Sequence, residues 1–328
     1  MDVPHALSAT CCSLLFAACA TAQELPEIKP LLSDLVSPVA IAVRSGGTAE
    51  RHELFVADGG GRIVRIASEA LDQPQEMVAS GGSPPIAMLF LNGKTFLVAS
   101  RESPPVLRAY EISEDGKALS PTQTKYEVHS AAGVRGTATA MTLGPTALYL
   151  TAAGDDAAGL LRSRVRSSVP GDLKPFGQIG ARPTCVAIST RGWVVVGDAG
   201  QHDESEDSRL TFHHPTDSTA DPALEIAPGL LDVVALAYSP QENLFAADSA
   251  EADPERSGVY RIDMDFQDNS IGGKAVRIAS IDRPTAMTFA PDGTLYVLAT
   301  TEENDATQLL RVTGKLSEME VLSPTPVP

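Results

Sequence analysis

Pro284-Thr-Ala-Met-Thr-Phe289, the turn Ala290-Pro-Asp-Gly293 and the run Leu295-Tyr-Val-Leu-Ala299 follow one another near the C-terminus, and the same order of residues runs through the chain. A small residue, then a large, a variable and another large apolar residue recur as Ala40-Ile-Ala-Val43, Ala87-Met-Leu-Phe90, Ala140-Met-Thr-Leu143, Cys185-Val-Ala-Ile188, Ala235-Leu-Ala-Tyr238 and Ala286-Met-Thr-Phe289. Consecutive anchors stand 47, 53, 45, 50 and 51 residues apart. Pro lies two positions before the anchor at Pro38, Pro85, Pro183 and Pro284. Alternation over such short spans is strand patterning, and self-similarity at a fixed period marks a repeat architecture.

Each anchor is followed by three further apolar runs. The second ends at Asp58, Ser100, Ala152, Asp198, Asp248 and Ala299. The third carries Arg in five of six units, at Arg65, Arg108, Arg162, Arg261 and Arg311, while the fourth unit has Leu210-Thr-Phe212 instead. A weaker fourth run lies near Met77-Val78, Tyr126-Val128, Phe176-Ile179, Leu224-Ile226, Val276-Ile278 and Met319-Val321. Four strands repeated six times predict an all-β fold, a six-bladed β-propeller with four antiparallel strands per blade. Small anchors suit the innermost strands, which crowd around the axis. Cys185 stands at an anchor, so it reads as a buried, unreactive thiol. Gln23 to Leu32 reads as an extra outer strand or an entry arm, and the pattern leaves open which terminus closes the last blade.

Pro38-Val-Ala-Ile-Ala-Val43, Leu54-Phe-Val-Ala-Asp58 and Arg62-Ile-Val-Arg-Ile66 together resemble an NHL repeat. Ala290-Pro-Asp-Gly-Thr-Leu-Tyr-Val297 resembles the hairpin of NHL and gluconolactonase/regucalcin-type propellers, within the TolB-like six-bladed group. The gluconolactonase resemblance implies a divalent metal held at the channel mouth by a Glu, two Asn and an Asp. Asp248-Ser249 is similar to that family's Asp-Ser step, whereas Ser37-Pro38-Val39 has no Glu and Arg283-Pro284-Thr285 stands where Asn is usual. Quinone-dependent sugar dehydrogenases share the propeller and use a His base on the channel face. Here only His129 and His202 fall in loops of that face.

Residues 6 to 22 form an uncharged apolar stretch ending in Ala20-Thr21-Ala22 before Gln23-Glu24, which reads as a signal peptide cleaved after Ala22. The preceding Met1-Asp2-Val3-Pro4-His5 lacks Lys and Arg, and lipidation at Cys19 is the alternative. The expected organisation is a signal peptide over 1–22, a propeller over 23–322 and a Pro-rich tail over 323–328. The protein is expected to be exported, periplasmic or extracellular, without a membrane span. Removal of the leader leaves Cys185 as the one cysteine and therefore no intrachain disulfide. With 42 acidic and 25 basic residues, the formal charge is −17. Nucleic acid and anionic membranes both need clustered cations, so both are excluded as partners. A small molecule or protein on the acidic loop face, bound by a monomer, is the expectation.

Loops after the second strands carry Asp155-Asp156, then Asp198, Asp203, Glu204, Glu206 and Asp207, then Asp248, Glu251, Asp253 and Glu255, then Glu302, Glu303 and Asp305. Nearer the axis stand Arg135, Arg182 and Arg283. Three readings are open for this face. The carboxylates solvate an exported protein; or Asp58, Asp198, Asp248 and His202 hold calcium or zinc, since oxygen-rich clusters suit hard cations; or Arg135, Arg182 and Arg283 bind an anionic ligand. No Gly-x-Ser-x-Gly motif and no strand-to-helix phosphate loop is present. An exported, non-catalytic binding module is therefore the leading expectation, with a divalent-metal-dependent lactone or ester hydrolase of altered ligand set as the alternative.

Overall fold

The structure is a computed structural model and describes residues 25–48, 51–71, 73–77, 85–100, 102, 106–113, 119–127, 136–154, 158–166, 169–201, 205–214, 221–267, 270–301 and 307–316. An N-terminal strand β1 (Glu27–Leu35) precedes six units. Blade one is β2 (Pro38–Thr48), β3 (Arg51–Asp58), β4 (Ile63–Ala67) and β5 (Gln75–Met77). Blade two is β6 (Pro85–Phe90), β7 (Thr95–Ser100), β8 (Val106–Ile112) and β9 (Leu119–Glu127). Blade three holds β10 (Thr137–Leu143), β11 (Ala147–Ala153), β12 (Ala158–Arg166), the two-residue β13 (Val169–Pro170) and β14 (Lys174–Gly177). Blade four is β15 (Pro183–Ile188), β16 (Val194–Asp198), β17 (Arg209–His213) and β18 (Leu224–Ile226). Blade five is β19 (Val233–Tyr238), β20 (Leu244–Asp248), β21 (Gly258–Gln267) and β22 (Ser270–Ser280). Blade six contributes β23 (Pro284–Phe289), β24 (Leu295–Thr300) and β25 (Thr307–Thr313). All pairings are antiparallel, so the chain is an all-β six-bladed propeller.

The ring is closed by the N-terminus. β1 pairs with β25 and supplies the outermost strand of blade six, with Ile28 opposite Val312 and Pro30 opposite Leu310. The sequence pattern suggests Met319-Val321 for a fourth run, and those residues lie outside the described ones. Leu35 is buried against Leu54, Tyr296 and Leu309, so closure rests on apolar contact as well as on ladder bonds.

Apolar burial explains why the second strands read as unbroken hydrophobic runs. Each blade is covered on both faces by its neighbours, and β11 and β20 are buried at nearly every position. Correspondingly, six core clusters among the described residues each join two adjacent blades. The core is thus six wedges around an axis. In all six innermost strands a bulge falls just before the anchor, between Pro38 and Ala40, Pro85 and Ala87, Ala138 and Ala140, Pro183 and Cys185, Val233 and Ala235, and Pro284 and Ala286. A repeated bulge raises local twist, which a propeller blade requires.

The anchor pairs show how tight the wedges are. Ala40 faces Ala57, Ala87 faces Ala99 and Ala235 faces Ala247, but Cys185 faces Gly197. A Cβ on Gly197 would lie 2.5 Å from Cys185 Sγ and 3.1 Å from Val233 of the next blade. The missing methyl on one strand therefore accommodates the thiol on the other. Burial raises the Cys185 pKa to about 12, so the expected inert thiol is what the fold contains.

The seam between blades six and one carries a polar contact, His52 Nε2 to Tyr296 Oη at 2.8 Å, fully inside. Burial lowers the His52 pKa below its usual 6.5, Asp292 opposes this and Arg311 adds to it. His213, between blades three and four, is likewise lowered by burial.

Gly197→Ala is expected to destabilise the fold by about 1–3 kcal/mol through overpacking. Adding Cys185→Ala should recover most of the loss, because the pair then matches Ala40 and Ala57; equal denaturation midpoints for the single and double variants would refute this packing. The histidines give a pH dependence of definite sign. The unfolded chain takes up their protons first as pH falls, so their contribution is complete above about pH 6.5 and is lost below it. The melting temperature of wild type should therefore fall more steeply from pH 7.5 to 5.5 than that of the His52→Gln, His213→Gln double variant.

Candidate binding face

The innermost strand of each blade begins where the second strand ends: Pro38 lies opposite Asp58, Pro183 opposite Asp198, Val233 opposite Asp248 and Pro284 opposite Ala299. Residues just before the one and just after the other therefore meet at one end of the channel. A backbone clip repeats there. Gly59 N–H donates to Ser37 O at 3.0 Å, Ala199 to Arg182 at 3.2 Å, Ser249 to Asp232 at 3.0 Å and Thr300 to Arg283 at 3.1 Å. The four accepting residues occupy the same place, three before each anchor. Two of them, Ser37 and Arg283, hold positive φ angles of 45° and 32°, a backbone strain that side-chain-bearing residues adopt at a cost.

The aspartates that end the second strands hold these loops. Asp198 Oδ2 accepts from Arg182 N at 2.7 Å and Oδ1 from Gly200 N at 3.0 Å. Gly180 leaves room for that carboxylate, since a Cβ there would lie 2.0 Å from Oδ2. Asp248, fully buried, accepts from Leu231 N at 2.9 Å, Asp232 N at 2.7 Å and Ala250 N at 3.1 Å. Asp58 instead caps its own turn, taking Gly60 N and Arg62 N at 3.0 Å on Oδ1 and Arg62 Nε at 2.9 Å on Oδ2. Burial raises the Asp248 pKa, the three backbone donors lower it, and the charge of Asp232 raises it again.

Asp58, Asp198 and Asp248 thus stand on three different blades, each engaged by backbone N–H groups. Among the described residues no three His, Cys, Asp or Glu side chains come together as a metal site would need. His202 and Arg135 lie outside the described residues, as do His129, Asp155, Asp156, Asp203, Glu204, Glu302, Glu303 and Asp305. Of the outer acids that are described, Glu206 pairs with Arg256 of the next blade at 2.8 Å and Asp207 accepts from Gln201 N at 3.2 Å. Glu251 and Glu255 are exposed.

Arg182 and Arg283 do occupy equivalent places. Arg182 Nη1 reaches Gly200 O at 2.9 Å and Arg283 Nη2 reaches Thr301 O at 3.1 Å, carbonyls at matching positions two residues past Asp198 and Ala299. Each guanidinium is thereby laid along its own loop at the rim of the channel. Between them in blade order comes Asp232, buried, with Oδ2 accepting from Glu251 N at 3.0 Å. Counting three back from Ala235 would have found it, but a lone Asp beside Leu230-Leu231 carries no pattern of its own.

No family model and no curated protein matches the sequence. Solved structures do. The PQQ-bound aldose sugar dehydrogenase of Streptomyces coelicolor aligns with a TM-score of 0.59 at 14% identity over 88% of this chain and 98% of that one. A putative glucose dehydrogenase from Thermus thermophilus gives 0.60 at 14% identity over 88% and 100%. A putative gluconolactonase gives 0.57 at 12% identity over 88% and 91%. The chain shares their propeller and is distantly similar to gluconolactonase. At such identities the likeness establishes the fold and leaves the chemistry to the residues. No helix among the described residues is long and apolar enough to cross a membrane.

Asp248→Asn should lower the unfolding free energy by about 1–3 kcal/mol in chelator-treated protein, because an amide turns a donor toward buried N–H groups. Unchanged metal-free stability would show that the carboxylate does not hold the loop.

Proposed function

We propose that the protein is an exported binding module whose ligand, a small organic anion, sits at the loop-face mouth of the channel over blades four to six. The observation that carries this is the placement of Arg182 and Arg283 at equivalent rim positions, with Asp232 between them. Guanidinium groups offer several fixed donors that match a carboxylate in two-point fashion, while Asp232, buried and accepting from Glu251 N, fixes the loop that lies between them in blade order. Arg135 belongs to the same reading from its place in sequence. In a chain of charge −17, cations held near the axis against acidic outer loops select for a local, short-range contact rather than long-range attraction.

A second reading, a lactone or ester hydrolase using calcium or zinc, draws support from the Asp248-Ser249 step, where Ser249 Oγ is buried without a hydrogen-bond partner among the described residues. The backbone bonds to Asp58, Asp198 and Asp248 weigh against a cation shared by those three.

Calorimetric titration with gluconate and glucuronate against glucose separates the readings. Saturable binding of the acids alone, weakened about tenfold or more by Arg182→Ala and by Arg283→Ala, supports the first. Hydrolysis of simple lactones that requires added calcium or zinc, with no acid binding, would replace it by the second. Export has its own check: terminal sequencing of secreted protein should begin at Gln23, whereas a lipid-modified Cys19 would mean membrane anchoring.

A further inference from the structure

A cavity on the axis lies at the opposite end from the arginine rim. Its walls are the later halves of all six innermost strands, from one residue past each anchor to the hairpin turn, and it encloses about 420 Å³. That falls within the roughly 300–1,000 Å³ of small-molecule sites. The mouth is a ring of one apolar or aromatic residue per blade, Val43, Phe90, Leu143, Ile188, Tyr238 and Phe289, every one half-buried. Among the described residues that line the cavity there is no Asp, Glu, Lys or Arg. For a solvent-facing opening in so charged a chain, this is a selective surface: it offers an ion no counter-charge, and between its apolar side chains the channel-facing edges of the six innermost strands present polar backbone groups.

Two features narrow the ligand further. Thr142 and Thr288 line the cavity from blades three and six, which face each other across the axis, so hydroxyls stand on opposite walls. Tyr238 adds a third, a phenol whose pKa burial, with Glu242 nearby, raises to about 12. Met88, Met141 and Met287, three of the seven methionines of the chain, hold the same strand position directly after the anchor. Unbranched, polarizable side chains there let the wall adapt to an irregular apolar body.

We propose that this end of the channel is a second binding site, for a neutral small molecule that combines an apolar body with several hydroxyl or carbonyl groups. It is independent of the arginine rim, since the two lie at opposite ends of the innermost strands. Two dyes of matched body and different charge test it: neutral N-phenylnaphthylamine and the anionic anilinonaphthalenesulfonate, each titrated by fluorescence into the full-length secreted protein. Saturable one-site binding of the neutral dye is expected, with the anion at least about tenfold weaker. Thr288→Glu and Thr142→Glu should each lower the neutral dye's affinity at least about tenfold at an unchanged melting temperature, while Thr288→Asn retains it. Should one Glu variant fail to fold, the other decides. Non-saturable binding, equal affinity for both dyes, or indifference to the Glu substitutions would overturn the proposal and leave a water-filled axis.

Discussion

Burial of every blade between its two neighbours is the constraint from which the remaining features follow. A sheet covered on both faces must be apolar on both, which produces runs such as Leu54-Phe-Val-Ala57 and Leu244-Phe-Ala-Ala247. It must also narrow toward the axis, where the wedges converge. The Ala–Ala pairs and the Cys185–Gly197 exchange are two solutions to one volume limit. Because each wedge draws on two blades, no blade is stable alone, and the last wedge exists only when β1 completes blade six. Closure is accordingly made of Leu35 in the core, a strand ladder and the His52–Tyr296 bond, three contacts of different kinds at one seam.

The fold was legible because this constraint writes itself into sequence six times. Anchors, second runs and third runs each reappear as strands at the expected places, even where the Arg of the third run is replaced by Thr211 and Phe212. That Arg meets different partners in different blades: Arg65 pairs with Glu53, and Arg162 lies 4.4 Å over the Phe176 ring. Outer strands were less legible, since one face of an edge strand meets solvent and tolerates almost anything. Gln75–Met77, with three residues, carries only the weak run near Met77-Val78, and β1, with Pro30 and two register shifts, carries no repeat signature, so pairing fixes the place of both. The choice between the two termini for closing the ring is a question of docking, which composition does not encode.

The binding face was half legible. Equivalent positions of Arg182 and Arg283 follow from the Arg-Pro-Thr steps, and the structure places both at the rim. The aspartates show the limit. Asp58, Asp198 and Asp248 all end the second strands of their blades, yet Asp58 caps its own turn while the other two reach across to the incoming loop. What a carboxylate at a strand end does is decided by which N–H groups point at it, and that depends on the path of a loop from elsewhere in the chain. Asp232 is the converse case, a residue with no motif that becomes significant only through its place between two others.

The two ends of the axis differ for a reason already present in the strand. An innermost strand enters from a loop, whose backbone must be held by clips and caps, so polar and charged residues gather at its start. It leaves through a tight hairpin such as Ala290-Pro-Asp-Gly293, which holds itself by backbone bonds and leaves the preceding positions to apolar side chains. Repetition turns that asymmetry into an apolar ring of six residues at one mouth, while Arg182, Asp232 and Arg283 make the other mouth charged over blades four to six. A repeat in which both ends were fixed by hairpins would have no such polarity. The chemical difference between the two mouths is therefore a consequence of how each blade is threaded.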